Sequence, residues 1–304
     1  MKHDVPVIDL QPFLSGTDKA TVVRQVADAC ARTGFLVVKG HGVPAETITA
    51  MLTAAQRFFD LPSDDKLAAR PDDPTVFRGY SPLANFSLAG SMGTEPAPDL
   101  REGFTVGGTG SVWPAADRAP GFVEACSAYY QAQDRLAASL MGIFALALEL
   151  PEDFFDKKVN RRFSDLVAYH YPPMSAQPKP GQLRGGAHTD FGSLTLVYAH
   201  PTAKGLQVWD GIEWEDVPAV PGTFVVNLGD LMAQWTNDLW VSTLHRVANP
   251  ADAEWDQSRY SLVFFHQPNA DVLVQSLDRR NAAKYAPITS GEHLARKIEA
   301  MRVD

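Results

Sequence analysis

The chain has few cysteines, no long apolar run and no cluster of basic residues, and each absence excludes a class of protein. Two cysteines in 304 residues, Cys30 and Cys126, cannot build a disulfide framework. No apolar stretch approaches the roughly 20 residues that a membrane-spanning helix needs. The formal net charge of −9, without a Lys/Arg cluster, argues against a nucleic-acid surface.

The first residues also lack the apolar segment of a signal peptide. Together with the scarcity of cysteine, this predicts a cytoplasmic protein. Hydrophobic residues make up 45% of the chain, which is ample for an ordinary globular core. We therefore expect a monomer or weak homo-oligomer whose partner is a small molecule, with neither nucleic acid nor membrane involved.

Hydrophobic periodicity divides the chain into a helical front and a β-rich back. One helix is predicted from an N-cap at Thr17 to Gly34, a second from Pro44 to Pro62, and a long bracing helix from Phe122 to Leu150. Residues 62–120 are rich in Pro, Gly, Asp and Ser, and predict a long irregular segment. Short strands separated by Gly and Pro then predict a sandwich or barrel-like β fold. These strands are Asp165–Tyr171, Ser193–Ala199, Gly205–Trp209, Glu213–Val217, Thr223–Asn227, Val241–Val247 and Ser258–His266.

The most informative motif is His188-Thr-Asp190, followed 55 residues later by His245. In an extended segment, residues i and i+2 project to the same side, so His188 and Asp190 can chelate one ion. Two imidazoles and one carboxylate make a facial triad that leaves three positions of a six-coordinate metal open. This donor set is typical of non-haem Fe(II) oxygenases, in which a co-substrate and O₂ take the open positions.

A second motif, Arg259-Tyr-Ser261, lies in an apolar and aromatic run that predicts a buried strand. Arg259 and Ser261 share one face of that strand. A buried guanidinium is costly unless an anion pairs with it, and its planar fork matches a carboxylate. The pair therefore indicates a seat for a small carboxylate ligand, with an internal ion pair to an Asp or Glu as the alternative.

These motifs, with others in the same order, give the chain a clear resemblance. It resembles the 2-oxoglutarate- and Fe(II)-dependent oxygenases of the isopenicillin N synthase-like family. The stretches that match are Val5-Pro-Val-Ile-Asp-Leu10, Thr33-Gly-Phe-Leu-Val-Val-Lys-Gly-His-Gly-Val-Pro44, Gly186-Ala-His-Thr-Asp-Phe-Gly-Ser-Leu-Thr-Leu196, Gly205-Leu-Gln-Val208, Asn227-Leu-Gly-Asp230, Ser242-Thr-Leu-His-Arg-Val-Ala-Asn-Pro250 and Arg259-x-Ser261.

The resemblance implies a mainly β structure with flanking helices (α+β), built on a double-stranded β-helix, or jelly roll. It implies an N-terminal non-haem dioxygenase region over residues 1–120, the bracing helix over 121–160, the jelly-roll core over 161–270 and a C-terminal segment with a helix over 271–304, all in one integrated unit. It also implies Fe(II), 2-oxoglutarate and O₂ as cofactor and co-substrates. The expected reaction oxidises a C–H bond of a small organic molecule, with hydroxylation as the default outcome.

The co-substrate site has one departure from the family pattern. Plant relatives carry Asn-x-Tyr-Pro ahead of the metal motif, where this chain has Tyr169-His-Tyr171-Pro. The resemblance implies that Tyr171 helps Arg259 and Ser261 to hold the far carboxylate of 2-oxoglutarate, since a phenol can donate to a carboxylate. Tyr169 replaces the Asn, so its role is open at this stage.

Substrate specificity in the family is set by loops around the iron. Phe77, Tyr80, Phe104 and Phe163 are expected to form apolar walls, and Arg78 or Arg184 to meet an acidic group. His266 ends the Arg259 strand on the opposite face, and a bend there would turn it toward a ligand.

Two other functions remain open from the sequence. One is an isopenicillin N synthase-type oxidase, which uses the same triad and Arg-x-Ser without 2-oxoglutarate. The other is a non-catalytic, cupin-like binding protein. Consumption of 2-oxoglutarate separates the first from the main interpretation, and the colour of an iron-chelated 2-oxoacid separates the second.

Overall fold

The computed structural model describes residues 5–73, 78–85, 87–93, 97–107, 110–161, 163–174, 176–199, 204–251, 254–278 and 280–300. The helices are α1 (Gln11–Leu14), α2 (Lys19–Arg32), α3 (Ala45–Phe59), α4 (Ser63–Leu67), α5 (Phe122–Ala147), α6 (Asp230–Trp235) and α7 (Ser290–Ala300). The strands are β1 (Val7–Asp9), β2 (Phe35–Lys39), β3 (Gly79–Ser81), β4 (Glu102–Gly107), β5 (Asp165–Tyr171), β6 (Gly185–His188), β7 (Leu194–Ala199), β8 (Leu206–Trp209), β9 (Trp214–Asp216), β10 (Phe224–Leu228), β11 (His245–Val247), β12 (Arg259–His266), β13 (Leu273–Val274) and β14 (Ile288–Thr289). Short 3₁₀ turns cover Leu88–Met92 and Asp156–Lys158.

Two sheets make the double-stranded β-helix that the resemblance implied. The larger has eight strands in the order β1-β2-β10-β7-β12-β5-β4-β3, and the smaller has four in the order β6-β11-β8-β9. Neighbours in the larger sheet are far apart in sequence, as in a jelly roll. The smaller sheet carries two of the predicted metal ligands, on β6 and β11.

The two faces of the larger sheet are separated by residue parity. Register pairs odd with odd across its strands, as in Arg259 with Tyr171 and Val263 with Val167. Odd-numbered residues of β2 and β10, with Val208 of the smaller sheet, form an apolar cluster between the sheets. Even-numbered residues such as Leu262 belong to the main core on the other face. Because successive side chains in a strand point to opposite faces, this alternation gives an inner face for the site and an outer face for the helices.

The helices cover the outer face. The long helix α5 packs against α2 and α3 and against strands β7 and β12 of the sheet. Its buried side include Tyr129, Leu136, Leu140 and Phe144, at helical spacing. The N-cap of α2 is Asp18, whose carboxylate accepts a hydrogen bond from Thr21 N at 3.0 Å, and not Thr17 as the sequence suggested. Among the described residues, no helix is long and apolar enough to cross a membrane.

The expectation of an irregular segment over residues 62–120 is corrected. It contains α4 and two strands, β3 and β4, which form the edge of the larger sheet next to β5. Glycines and polar residues hide these strands from a hydrophobicity pattern, because their inner face borders the site. Cross-strand hydrogen bonds to β5, in the register Gly103 with Tyr169, hold β4 in place.

Candidate active site

The three predicted metal ligands converge at one end of the smaller sheet. His188 and His245 are directly opposite each other on the antiparallel strands β6 and β11, with ring centroids 4.3 Å apart. Asp190 Oδ1 lies 3.5 Å from His188 Nε2 and 3.7 Å from His245 Nε2. All three side chains are buried. One carboxylate oxygen and two imidazole nitrogens therefore face a common point, as a facial triad requires.

The surrounding hydrogen bonds prepare the triad for a metal. Backbone carbonyls bind the Nδ1 atom of each ring, Gly186 O at 2.8 Å from His188 and Thr243 O at 3.0 Å from His245. This assigns the proton to Nδ1 and leaves each Nε2 lone pair directed at the ligand point. Asn227 Nδ2 donates to the second oxygen of Asp190 at 2.6 Å, which fixes the carboxylate. The donor set fits a divalent iron ion.

Electrostatics keep the triad in its ligating protonation state at neutral pH. Burial, and then the neighbouring His188, lower the pKa of His245 to about 4. Burial would raise the pKa of Asp190, but the two histidines hold it well below its usual range. A neutral imidazole and an ionised carboxylate are the forms that bind a metal.

A second polar cluster lies where β5 and β12 pair. The guanidinium of Arg259 lies 4.5 Å above the Tyr171 ring, and its Nε donates to Lys204 O at 3.2 Å. Its Nη1 is buried without a hydrogen-bond partner. The Tyr171 hydroxyl is within hydrogen-bonding reach of Ser261 and of Arg101. A buried donor without an acceptor is costly, so this cluster fits a bound carboxylate.

The charge of this cluster is positive. Burial would raise the pKa of Tyr171, but the guanidinium groups of Arg259 and Arg101 outweigh burial and lower it. No Asp or Glu among the described residues forms an ion pair with Arg259. The alternative of an internal ion pair for Arg259 therefore finds no partner in that part of the chain.

A cavity of about 180 Å³ opens beside His188 and Asp190. Its polar lining includes Arg101, Thr105 and Gln267. Its apolar lining is Leu88, Val167, Phe191, Phe265, Leu294 and Ile298. The cavity is mostly apolar with a few polar groups, as is usual for small-molecule sites.

Two expected pocket walls are corrected by strand parity. Phe104 lies on the outer face of β4, fully buried against Phe58 and Phe122. Tyr80 pairs with Phe104 in register and lies on the same face, where its hydroxyl donates to Glu102 at 2.5 Å. The cavity is lined instead by the alternate residues of these strands, Ser81, Gly103 and Thr105.

His266 is also on the outer face and does not turn toward the cavity. It is 1% exposed, and its Nδ1 shares a 2.7 Å hydrogen bond with Ser193 Oγ. The flanking residues Phe265 and Gln267 line the cavity in its place. Burial lowers the pKa of His266 to about 4.

His266 makes stability depend on pH. Its pKa is about 6.5 when unfolded, so between pH 6.5 and 4 the unfolded chain binds a proton that the folded chain does not. The free energy of unfolding therefore falls as pH decreases through this interval, by up to roughly 3 kcal/mol from this group. Urea unfolding across the interval should show a shallower loss of stability in His266→Gln than in wild type. Equal losses would contradict the assignment.

The other expected substrate residues lie outside the cavity lining. Arg78 Nε donates to Asp165 at 2.9 Å, at the cavity edge. Arg184 is buried and donates to the carbonyls of Pro172 and Gln257, on the far side of Arg259 from the cavity. Phe163 is half-buried and is not among the lining residues. Phe77 lies outside the described residues.

Sequence reasoning missed three contributions to the site. Arg101 precedes β4 on its inner face, and the pattern that would reveal it is the alternation through Gly103 and Thr105. Phe191 directly follows the metal motif. Leu294 and Ile298 come from α7, whose Lys297 is held by Asp230 at 2.8 Å. The contribution of α7 depends on a tertiary contact that no local pattern shows.

Comparison with known proteins agrees with this geometry. Residues 5–119 match the family described as non-haem dioxygenase in morphine synthesis N-terminal, and residues 162–268 match the 2OG-Fe(II) oxygenase superfamily. The fold and the triad define an iron- and 2-oxoglutarate-dependent oxygenase.

Individual relatives place the chain in that family. It is 37% identical to the 2-oxoglutarate-Fe(II) type oxidoreductase hxnY of Emericella nidulans, over 93% of this chain and 86% of that protein. It is 32% identical to validamycin A dioxygenase of Streptomyces hygroscopicus subsp. limoneus, over 100% and 88%. A structure of a full-length Neurospora crassa enzyme in complex with alpha-KG superimposes with a TM-score of 0.89 at 30% identity, covering 97% and 96%. The chain belongs to the 2-oxoglutarate- and Fe(II)-dependent oxygenases, and His188, Asp190 and His245 form its iron-binding site.

Proposed function

We propose that Arg259, Ser261 and Tyr171 bind the far carboxylate of 2-oxoglutarate, and that the apolar cavity beside the triad binds the molecule to be hydroxylated. The observation that carries the proposal is the buried Nη1 of Arg259, which has no hydrogen-bond partner. A carboxylate there would accept from Arg259, Ser261 and Tyr171 together, and charge-assisted hydrogen bonds are the strong ones.

The protein residues divide the work around a bound iron and 2-oxoglutarate. When bound, these two supply the oxidising chemistry, and 2-oxoglutarate is converted to succinate and CO₂. His188, Asp190 and His245 hold the metal, and Asn227 fixes the Asp190 carboxylate. The aromatic side chains of Phe191 and Phe265 exclude water from the cavity and orient a C–H bond toward the metal.

The test is a screen of small organic molecules for succinate release. We expect a subset of compounds to raise succinate formation above the substrate-free rate, in equal amounts with oxidised product. Oxygen consumption with product but without 2-oxoglutarate turnover would favour an isopenicillin N synthase-type oxidase. A protein that forms no coloured complex with Fe(II) and 2-oxoglutarate under anaerobic conditions would be a binding protein.

We also propose that the enzyme acts in the cytoplasm as a monomer or weak homo-oligomer, as one integrated unit and without nucleic-acid partners. Two buried free cysteines and the formal net charge of −9 support this. Gel filtration with light scattering tests the oligomeric state, and a stable dimer at low protein concentration would contradict it.

A further inference from the structure

Arg101 is the one cationic residue among the described residues that line the cavity. Its side chain is 12% exposed, so it is largely desolvated. Arg259, Ser261 and Tyr171 do not line this cavity, although Arg101 reaches toward the Tyr171 hydroxyl. Arg101 therefore lies on the substrate side of the proposed 2-oxoglutarate site.

The protein neutralises Arg101 only loosely. Its Nη2 lies 3.5 Å from Asp99 Oδ2, beyond ordinary hydrogen-bond length. The two oxygens of Asp99 also accept backbone hydrogen bonds, from Gly186 N at 2.8 Å and Leu88 N at 3.2 Å. A carboxylate that is shared in this way leaves much of the guanidinium fork available.

The other carboxylates at the cavity are engaged elsewhere. Asp165 accepts from Arg78 at 2.9 Å. Glu102 points to the outer face, where it accepts from Lys66 at 2.9 Å and from Tyr80 at 2.5 Å. Asp190 belongs to the iron site. The described lining residues thus offer Arg101 no second anion.

Tyr169 holds the guanidinium in place. Arg101 lies 3.9 Å from the centre of the Tyr169 ring. Gly103 makes room for that ring, since a Cβ at position 103 would lie 3.1 Å from Tyr169 Cδ1. A stacked guanidinium is restricted in orientation before any ligand binds, which lowers the entropic cost of binding. The tyrosine that departs from the family's Asn thus gains a physical role.

We propose that the substrate of this enzyme is a small, largely apolar molecule with a carboxylate group, and that Arg101, positioned on Tyr169, binds this carboxylate. The inference rests on the proposed function, because it assigns the cavity beside the iron to the substrate. A planar fork matches a carboxylate with two parallel hydrogen bonds. A phosphate would call for more positive charge than the single cationic side chain that the described lining provides.

The first experiment compares acids with their amides. Calorimetric titrations use the anaerobic protein loaded with Fe(II) and 2-oxoglutarate, and the probes are benzoate and benzamide, phenylacetate and phenylacetamide, and cyclohexanecarboxylate and its amide. We expect at least one acid to bind about 10-fold or more tightly than its amide. Equal affinities in every pair, or no acid binding, would overturn the proposal.

The second experiment uses variants. Arg101→Gln should weaken acid binding by about 10- to 100-fold and leave amide binding unchanged, and Arg101→Lys should restore only part of the loss. Tyr169→Phe should keep the acid preference, whereas Tyr169→Leu should reduce it. The matched control is Arg246→Gln, because Arg246 lies 4.2 Å over the Trp214 ring but outside the cavity. A control variant that loses the acid preference as fully as Arg101→Gln would overturn the proposal.

The design separates this proposal from the proposed function. The absorption of the Fe(II)–2-oxoglutarate complex is recorded before any probe is added, and its absence would count against the proposed function alone. The acid and amide titrations are repeated without 2-oxoglutarate, so that they still report on Arg101. If Arg101→Gln weakened 2-oxoglutarate and left the acids unchanged, Arg101 would be a co-substrate ligand and the proposal would be wrong.

Discussion

His245→Ala is expected to abolish iron-dependent turnover while the protein stays folded. His245 supplies one of three metal ligands, and its ring is buried opposite His188. Loss of an outer partner of a metal ligand already costs about 10- to 100-fold in affinity or activity, so loss of a ligand itself should exceed 100-fold. Succinate release and bound iron measured by metal analysis should fall together.

The control for this variant is His41→Ala. His41 is a partly buried histidine whose Nε2 is 3.0 Å from Gly222 O and whose ring packs on Phe224, away from the triad. This variant should keep its iron and its turnover. Circular dichroism should show the same fold for both variants, because the main core does not include the metal ligands. Substantial iron-dependent activity in His245→Ala would show that the ligand assignment is wrong.

Arg259→Gln is expected to raise the KM for 2-oxoglutarate by about 10- to 1,000-fold, with iron affinity nearly unchanged. Glutamine keeps polarity but removes the charge and the fork. The buried Nη1 without a partner, and the Tyr171 hydroxyl nearby, define the carboxylate seat that would be lost. Arg259→Lys should rescue poorly, since an ammonium is a point charge where a planar pair is needed. Kinetics with 2-oxoglutarate and the primary substrate varied in turn make the measurement.

Arg184→Gln is the matched control. Arg184 is a neighbouring buried arginine, but its Nη2 donates to the carbonyls of Pro172 and Gln257. Its removal should change the KM for 2-oxoglutarate by only a few-fold. A uniform loss of affinity for all ligands in Arg259→Gln, with lower thermal stability, would indicate a structural role. A loss of affinity for the primary substrate alone would indicate an oxidase of the isopenicillin N synthase type.

The sequence predicted the iron site because its ligands come in recognisable patterns. The i, i+2 pair His188 and Asp190 needs only local extended geometry, and His245 sits in a motif that the family shares. The same reasoning placed Arg259 and Ser261 on one face of β12, because that strand is apolar enough to be recognised. These residues were predictable since the local backbone alone decides which way they point.

The cavity walls were not predictable for a related reason. The sequence gave β4 no strand signal, so Phe104 was taken from a loop and its direction was free. Once β4 pairs with β5, Phe104 must face the helices, and Gly103 and Thr105 the cavity. The α7 residues Leu294 and Ile298 reach the cavity only through packing between distant parts of the chain.

The alternation of faces in the larger sheet has a consequence for how such enzymes diverge. A substitution at an inner position such as Thr105 or Val167 alters what the cavity accepts, while its neighbours Phe104 and Leu166 continue to pack against the helices. Selection on substrate preference and selection on stability therefore act on different residues of the same strand. A lineage can exchange one substrate for another in single steps, without first passing through unfolded intermediates.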